Sequence, residues 1–260
     1  MKIVVCVKQV PDTEAEKRLL PDTLTVDRES SNPVLNEMDE FAIEEALQIA
    51  EANEGSTVTV LTMGPDGADA AVRKALSMGA DSGILLTDPA LAGSDAVGTS
   101  HALAKALATT EYDLVILGSE SSDARTSLVP AMLAERLGLP QLTFASKVEV
   151  EGSNVKINRL TDYGHDVVQA SLPAVVSVVE KINEPRYPSF KGIMAAKKKP
   201  IASLDVAGAG IDASLVGQAA ATTAVVDAAQ RPPRSAGVKV TDSGDGGVKL
   251  AEFLSAQKFI

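Results

Sequence analysis

The spacing of apolar residues changes period along this chain in a regular way. Residues 3–7 are a short continuous apolar run, the pattern of a buried strand. Residues 41–52 switch to helical spacing, with Ala42, Ala46, Ile49 and Ala50 on one face. Residues 57–61 return to a strand, and 68–78 form a helix stopped by Gly79 at a C-cap position. The alternation continues through 84–86, 94–108, 114–117 and 128–137. Near-continuous apolar strands separated by helices imply a parallel sheet covered on both faces. The prediction is an α/β, doubly wound, mostly parallel sheet with helices on both faces.

The pattern changes after Pro140. Three strand-like runs, 144–150, 155–160 and 167–172, are linked by Gly152-Ser153-Asn154 and Tyr163-Gly164-His165, the spacing of an antiparallel hairpin extension. Residues 174–179 are again fully apolar and return to the main sheet. From Pro200 the chain is rich in Ala, Gly and Ser, with a Pro232-Pro233 break and the run Asp242-Ser243-Gly244-Asp245-Gly246-Gly247. Helical pieces near 213–218 and 248–257 do not make a second core. The division expected is an α/β domain over 1–199 and an extended C-terminal arm over 200–260 that needs another surface.

Between them lies the most unusual stretch, 183–199. Pro185 and Pro188 lack backbone donors and bias their predecessors away from helix, which predicts a stiff surface loop. It carries Tyr187 and Phe190, two of eight aromatic residues in the protein (three Tyr, five Phe, no Trp). Lys197, Lys198 and Lys199 follow, either steering an acidic partner or forming a solvated helix end.

Composition narrows the possibilities. A net charge of −11 leaves no broad basic surface for phosphates, so a nucleic acid partner is excluded. A single cysteine, Cys6, rules out an internal disulfide and fits a reducing compartment. No apolar run approaches the ~20 residues of a membrane span, and the apolar start is too short for a signal peptide core. A cytoplasmic protein is expected.

The best ligand site is the loop after the fourth strand of the main alternation, 118–127, leading into Leu128-Val129-Pro130. Pro130 is tolerated only in a first helical turn and so fixes the helix start. Thr126 and Ser127 would then lie at a positive helix end suited to a phosphate, with Arg125 as a bidentate partner. The plainer reading makes Ser and Thr ordinary N-caps and leaves Arg125 solvated. Position favours the ligand, because open α/β sheets bind ligands beyond the carboxyl ends of their strands. Cys6 and Met63 end strands at that edge; both read more simply as packing residues. Asn36 either contacts an adenine or caps its helix. The Gly-x-Gly-x-x-Gly and Gly-Lys-Ser/Thr phosphate motifs are absent from the sequence. His101 and His165 with one cysteine make no zinc set. Nothing argues for catalysis.

Four segments match a known family: Val5-Cys6-Val7-Lys8, Arg73 to Asp81, Pro140 to Ser146, and Asn183 to Lys199. A signature region, Ile157-Asn158-Arg159-Leu160-Thr161-Asp162-Tyr163-Gly164-His165-Asp166-Val167-Val168, lies between the last two. Over essentially its full length the chain resembles the beta subunit of electron transfer flavoprotein. Leu160, Tyr163 and Asp166 depart from the usual signature, while Arg159, Asp162 and Pro173 keep it.

The resemblance implies an electron carrier subunit, not an enzyme, in a heterodimer whose alpha subunit holds most of the FAD. It implies a bound AMP that stabilises without redox chemistry, at Cys6, Asn36, Met63 and Asp123, Ala124, Arg125, Thr126 and Ser127. It implies docking through 185–194, with Phe190 as anchor among Tyr187, Ile193 and Met194. Partners implied are acyl-CoA and other flavin dehydrogenases of fatty acid β-oxidation and a membrane quinone oxidoreductase, with the arm packed on the alpha subunit. An alternative within the family binds a second FAD in place of AMP and bifurcates electrons, although Arg125 and the bulky Leu128-Val129-Pro130 leave less room for it. A stand-alone nucleotide-binding regulator or hydrolase would leave the arm and the Pro-bounded loop without a purpose.

Overall fold

The computed structural model of the protein describes residues 1–234 and 236–260. Its strands are β1 Lys2–Val7, β2 Gln9–Pro11, β3 Pro33–Leu35, β4 Thr57–Met63, β5 Ser82–Leu86, β6 Leu114–Gly118, β7 Gln141–Glu151, β8 Asn154–Thr161, β9 Gly164–Ser171, β10 Ala174–Val178 and β11 Ile201–Leu204. The helices are α1 Glu37–Ala52, α2 Asp69–Met78, α3 Ala96–Leu107, α4 Val129–Leu137, α5 Phe190–Ala196 and α6 Gly246–Ala256. One nine-stranded sheet has the order β11-β5-β4-β1-β6-β10-β7-β8-β9, and β2 and β3 form a separate antiparallel pair.

Strand β1 shows why the sheet must be covered twice. Its Ile3, Val5 and Val7 pack with Ala42, Ile43 and Leu47 of α1 and Val72 and Leu76 of α2. The intervening Val4 and Cys6 pack with Leu103 and Leu107 of α3 and Leu133 of α4. Alternate side chains of a strand point to opposite faces, so an unbroken apolar strand is satisfied only by two helical layers. The predicted doubly wound fold is observed, with β1 pairing in parallel with both β4 and β6.

The antiparallel extension is observed as well. β7 runs parallel to β10, and β8 and β9 add to it in antiparallel register. The signature residue Arg159 has a local task there. From β8 it donates to the carbonyls of Thr143 at 3.1 Å and Gln141 at 3.2 Å, beside the irregularity where β7 leaves β10.

The sheet continues past residue 199, where the sequence pattern had placed the start of the arm. β11 adds in parallel to β5, and Val206, Ala209, Ile211 and Val216 join the α3/α4 core. The helix expected over 213–218 is two short 3₁₀ turns, at 213–215 and 218–220. Asp95 caps α3 through Gly98 N at 2.9 Å and also accepts the amides of Thr222 at 2.8 Å and Thr223 at 3.1 Å. The first compact unit therefore spans Met1–Val226, and Asp227–Ile260 forms a second. The second unit contains α6, and its Asp242 accepts the Gly244 and Gly246 amides at 2.8 Å each. Among the described residues no helix is long and apolar enough to cross a membrane.

Candidate functional site

The chain leaves β1 toward β4 on one side and leaves β6 toward β7 on the other. Such a reversal opens a crevice beyond the strand ends, the usual ligand position in open α/β sheets. Asp39, in the first turn of α1, is buried between those ends and accepts the Lys8 amide at 2.7 Å. Burial pushes its carboxyl up to about 7, against hydrogen bonds from Asn36 and the Lys8 and Gly118 amides. Only glycine fits at 118, since a Cβ would lie 2.6 Å from Asp39 Oδ1 and 2.8 Å from Met38 Cγ.

Asn36 stands at the N-cap position of α1, but its side chain does not cap the helix. Its Nδ2 donates to the Glu120 carbonyl at 3.0 Å, and its Oδ1 accepts the Ser122 amide at 3.1 Å. The amide thus shapes the 120–127 loop from below. Within that loop Arg125 and Ser127 both adopt left-handed backbone, at φ 48° and 51°. Sparsely populated conformations of this kind are held where the surroundings over-determine them.

The plainer alternative, in which Thr126 or Ser127 is the N-cap of the helix, does not hold. Leu128 is the N-cap of α4, and Pro130 occupies the first turn as expected. Ser127 Oγ instead donates to Glu120 Oε2 at 3.0 Å. Ala124, Arg125 and Thr126 lie exposed on the crest of the loop.

Asp123 points elsewhere. Its carboxylate, 2 % exposed, pairs with Lys8 Nζ at 2.9 Å and with Arg28 at 2.7 Å. Burial alone would raise it, but Lys8, Ser121 and Arg28 together bring it down to about 2. It therefore ties β1, the 12–32 excursion and the loop together. A carboxyl depressed below its unfolded value contributes stability above that value and loses it as pH falls toward the folded one. Here the contribution is about 2 kcal/mol, and we expect the stability advantage over Asp123→Asn to narrow between pH 4 and pH 2. Urea melts across that window check it; a gap independent of pH would contradict the assignment.

Cys6 is a buried packing residue whose thiol is pushed up to about 12 by burial and the nearby Asp39. Met63 ends β4 at the same edge and packs partly buried on the α3/α4 core. On the opposite face of β4, the Oγ1 of Thr62 is buried without a hydrogen-bond partner among the described residues. The structure thus brings Asn36 and the 123–127 loop into direct contact with Lys8, and sets Cys6 and Met63 at adjacent strand ends. Sequence reasoning set Lys8 at this edge without a role and missed Arg28 and Asp39. Asp39 alone left a signal, as an acid in a helix's first turn, which also describes ordinary dipole stabilisation.

A second feature lies away from the crevice. The stiff loop predicted over 183–199 is in part a helix, α5, because Ser189 Oγ caps it through the Gly192 amide at 3.0 Å. Phe190, Ile193 and Met194 are 81 %, 44 % and 47 % exposed, and Tyr187 93 %. Their i, i+3, i+4 spacing gives one apolar face. The opposite side rests on α2, with Ala196 buried and Gly192 so close that a Cβ would meet Ser77 O at 2.5 Å. Lys199 neither steers nor solvates. Its Nζ donates to the carbonyls of Leu76, Gly79 and Ala80 at 3.1, 3.1 and 2.5 Å, completing the C-terminus of α2. Among the described residues no group of acidic, His and Cys side chains could hold a metal ion.

The structure is that of a doubly wound α/β protein with a tightly braced loop at the strand ends and a separate apolar helix face. The model of the electron transfer flavoprotein domain matches residues 23–209. The electron transfer flavoprotein subunit beta of Mycobacterium tuberculosis is 52% identical over 264 residues, covering 99% of each chain. That of Megasphaera elsdenii is 37% identical and covers 100% of both. A subunit of the caffeyl-CoA reductase-Etf complex of Acetobacterium woodii, CarD, is 36% identical over 93% of this chain and 92% of its own. This chain belongs to the electron transfer flavoprotein family, as a beta subunit.

Proposed function

We propose that this chain carries electrons as one half of a heterodimer, holding AMP in the crevice and docking flavin dehydrogenases through α5. The observation that carries the reading is the apolar face of Phe190, Ile193 and Met194, left exposed with the preceding Tyr187 on a helix that is itself firmly seated. The donor set of the crevice fits an adenine nucleotide. Arg125 and Thr126 stand exposed on the crest of the loop, where the guanidinium and the hydroxyl are open to a phosphate.

FAD, held mainly by the alpha subunit, supplies the one- and two-electron chemistry when bound, and this chain forms one wall beside it. The chain's own residues do no bond chemistry. Lys8, Asn36, Asp39 and Asp123 hold the loop in shape, and Arg125 and Thr126 face the phosphate. The Asp227–Ile260 unit packs on the alpha subunit. Electrons come from acyl-CoA and other flavin dehydrogenases and go to a membrane quinone oxidoreductase.

A second reading comes from the Acetobacterium woodii relative, which is a subunit of a reductase complex. There the crevice would hold a second FAD, and electrons would be divided between two acceptors. Co-expression with the alpha subunit, nucleotide extraction and chromatography separate the two. We expect one AMP and one FAD per heterodimer. Two FAD and no AMP would establish the second reading, and a soluble homo-oligomer with hydrolase activity would remove both.

A further inference from the structure

We propose that Arg186 is a positioning residue: by bridging two carboxylates of α1 it clamps the docking segment into a preformed face. The inference rests on the docking role of α5. Arg186 sits immediately before Tyr187, at the upstream end of the segment. Its Nε donates to Glu44 Oε2 at 2.7 Å and its Nη2 to Glu44 Oε1 at 3.0 Å, a bidentate pair. Its Nη1 reaches Glu51 Oε1 at 2.5 Å, and its main-chain amide donates to Glu44 as well, at 3.1 Å.

The geometry is not that of a surface ion pair. Glu44's side chain is 5 % exposed, so its charge depends on this partner, whereas Glu51's is 61 % exposed. Burial works to raise Glu44, but Arg186 and Gln48 overcome it and the carboxyl is lowered. A planar fork can hold Glu44 bidentately while reaching Glu51, and a lysine ammonium cannot reproduce the bidentate pair.

Asn183 adds a second tie upstream, donating to the Phe41 carbonyl at 3.1 Å and to Glu45 at 3.0 Å. Downstream, Arg73 holds the Ala196 carbonyl at 2.9 Å and Lys199 holds the end of α2. Both ends of the segment are thus fixed to helices packed on the sheet, while Tyr187 and Phe190 between them stay almost fully exposed and Ile193 and Met194 about half exposed. A short helix of seven residues would not hold its shape unaided. Fixing it beforehand removes an ordering cost from each encounter with a partner, which is the general gain from preorganisation. The clamp therefore acts on recognition and leaves the electron-transfer step alone.

The test uses the intact heterodimer with a purified flavin dehydrogenase as electron donor. Arg186→Gln, Arg186→Lys, Glu51→Gln and Phe190→Ala are compared by steady-state transfer and by hydrogen exchange over 187–196. Arg186→Gln is expected to raise KM for the carrier about tenfold with kcat unchanged, and to speed exchange in 187–196. Arg186→Lys should recover part of the loss and Glu51→Gln should cause a smaller one. If Arg186→Gln does not fold, Glu51→Gln carries the test, because it leaves the buried pair intact. An unchanged KM in the folded Arg186 and Glu51 variants alongside an impaired Phe190→Ala overturns the clamp alone. An unimpaired Phe190→Ala overturns the docking reading and the clamp with it.

Discussion

Replacing Phe190 by alanine should lower kcat/KM for electron transfer from a flavin dehydrogenase roughly 30-fold. The ring is 81 % exposed in the free chain, so nothing in the fold depends on it. Seated in an apolar pocket of a partner, a phenylalanine contributes about 1.5–3 kcal/mol. Truncating an anchor at the centre of a small interface costs about 2 kcal/mol, which sets the factor. Melting temperature and AMP and FAD content should stay at the wild-type values. Stopped-flow reduction with the dehydrogenase in excess isolates the step. Kinetics identical to wild type would remove Phe190 from the interface. The modest energy is in keeping with a carrier, since a nanomolar complex needs about 12 kcal/mol and would hold its donor too long.

The second large effect is expected at Gly118. Gly118→Ala should destabilise the protein by about 3 kcal/mol and release the bound nucleotide, even though alanine is the smallest possible addition. The new Cβ would fall 2.6 Å from Asp39 Oδ1 and within 2.9 Å of both Met38 Cβ and Cγ. Asp39 cannot swing aside, because it already accepts the Lys8 amide from the end of β1. The strain falls on the junction of β1, β6 and α1, where overpacking costs roughly 1–3 kcal/mol, occasionally more. Guanidinium unfolding and nucleotide release on gel filtration measure the two parts. A variant with normal stability and a full nucleotide complement would show that the strand ends have room to shift.

The fold was legible because its main signal is local. β1, β4, β6 and β10 are apolar on both faces, and that alone requires a parallel sheet between helical layers. β11 was not legible, because Ile201-Ala202-Ser203-Leu204 is four residues with two exposed, a pattern shared by any loop. The extent of the first compact unit, to Val226, was hidden for the same reason. In the crevice, strand-end position pointed to the loop after β6, but not to how it is held. Asn36 and Glu120 are 84 residues apart, and Lys8 and Asp123 are 115 apart, so their pairing appears only after the strand order is known. Lys199 shows the limit most plainly. Three consecutive lysines look alike in a sequence, and only the chain's path brings one of them onto the carbonyls of α2.

Helix α1 touches both features of the molecule. Asn36 and Asp39 at its start are built into the crevice, and Glu44, Glu45 and Glu51 farther along hold the segment before α5. From Asp39 to Glu51 an α-helix advances about 18 Å. The helix is in effect a ruler. A partner gripping α5 would be set at a spacing from the strand ends that a hydrogen-bonded rod fixes and loop motion does not alter. Different donors gripping the same face would inherit one distance, and the residues of that face can vary while the distance is kept.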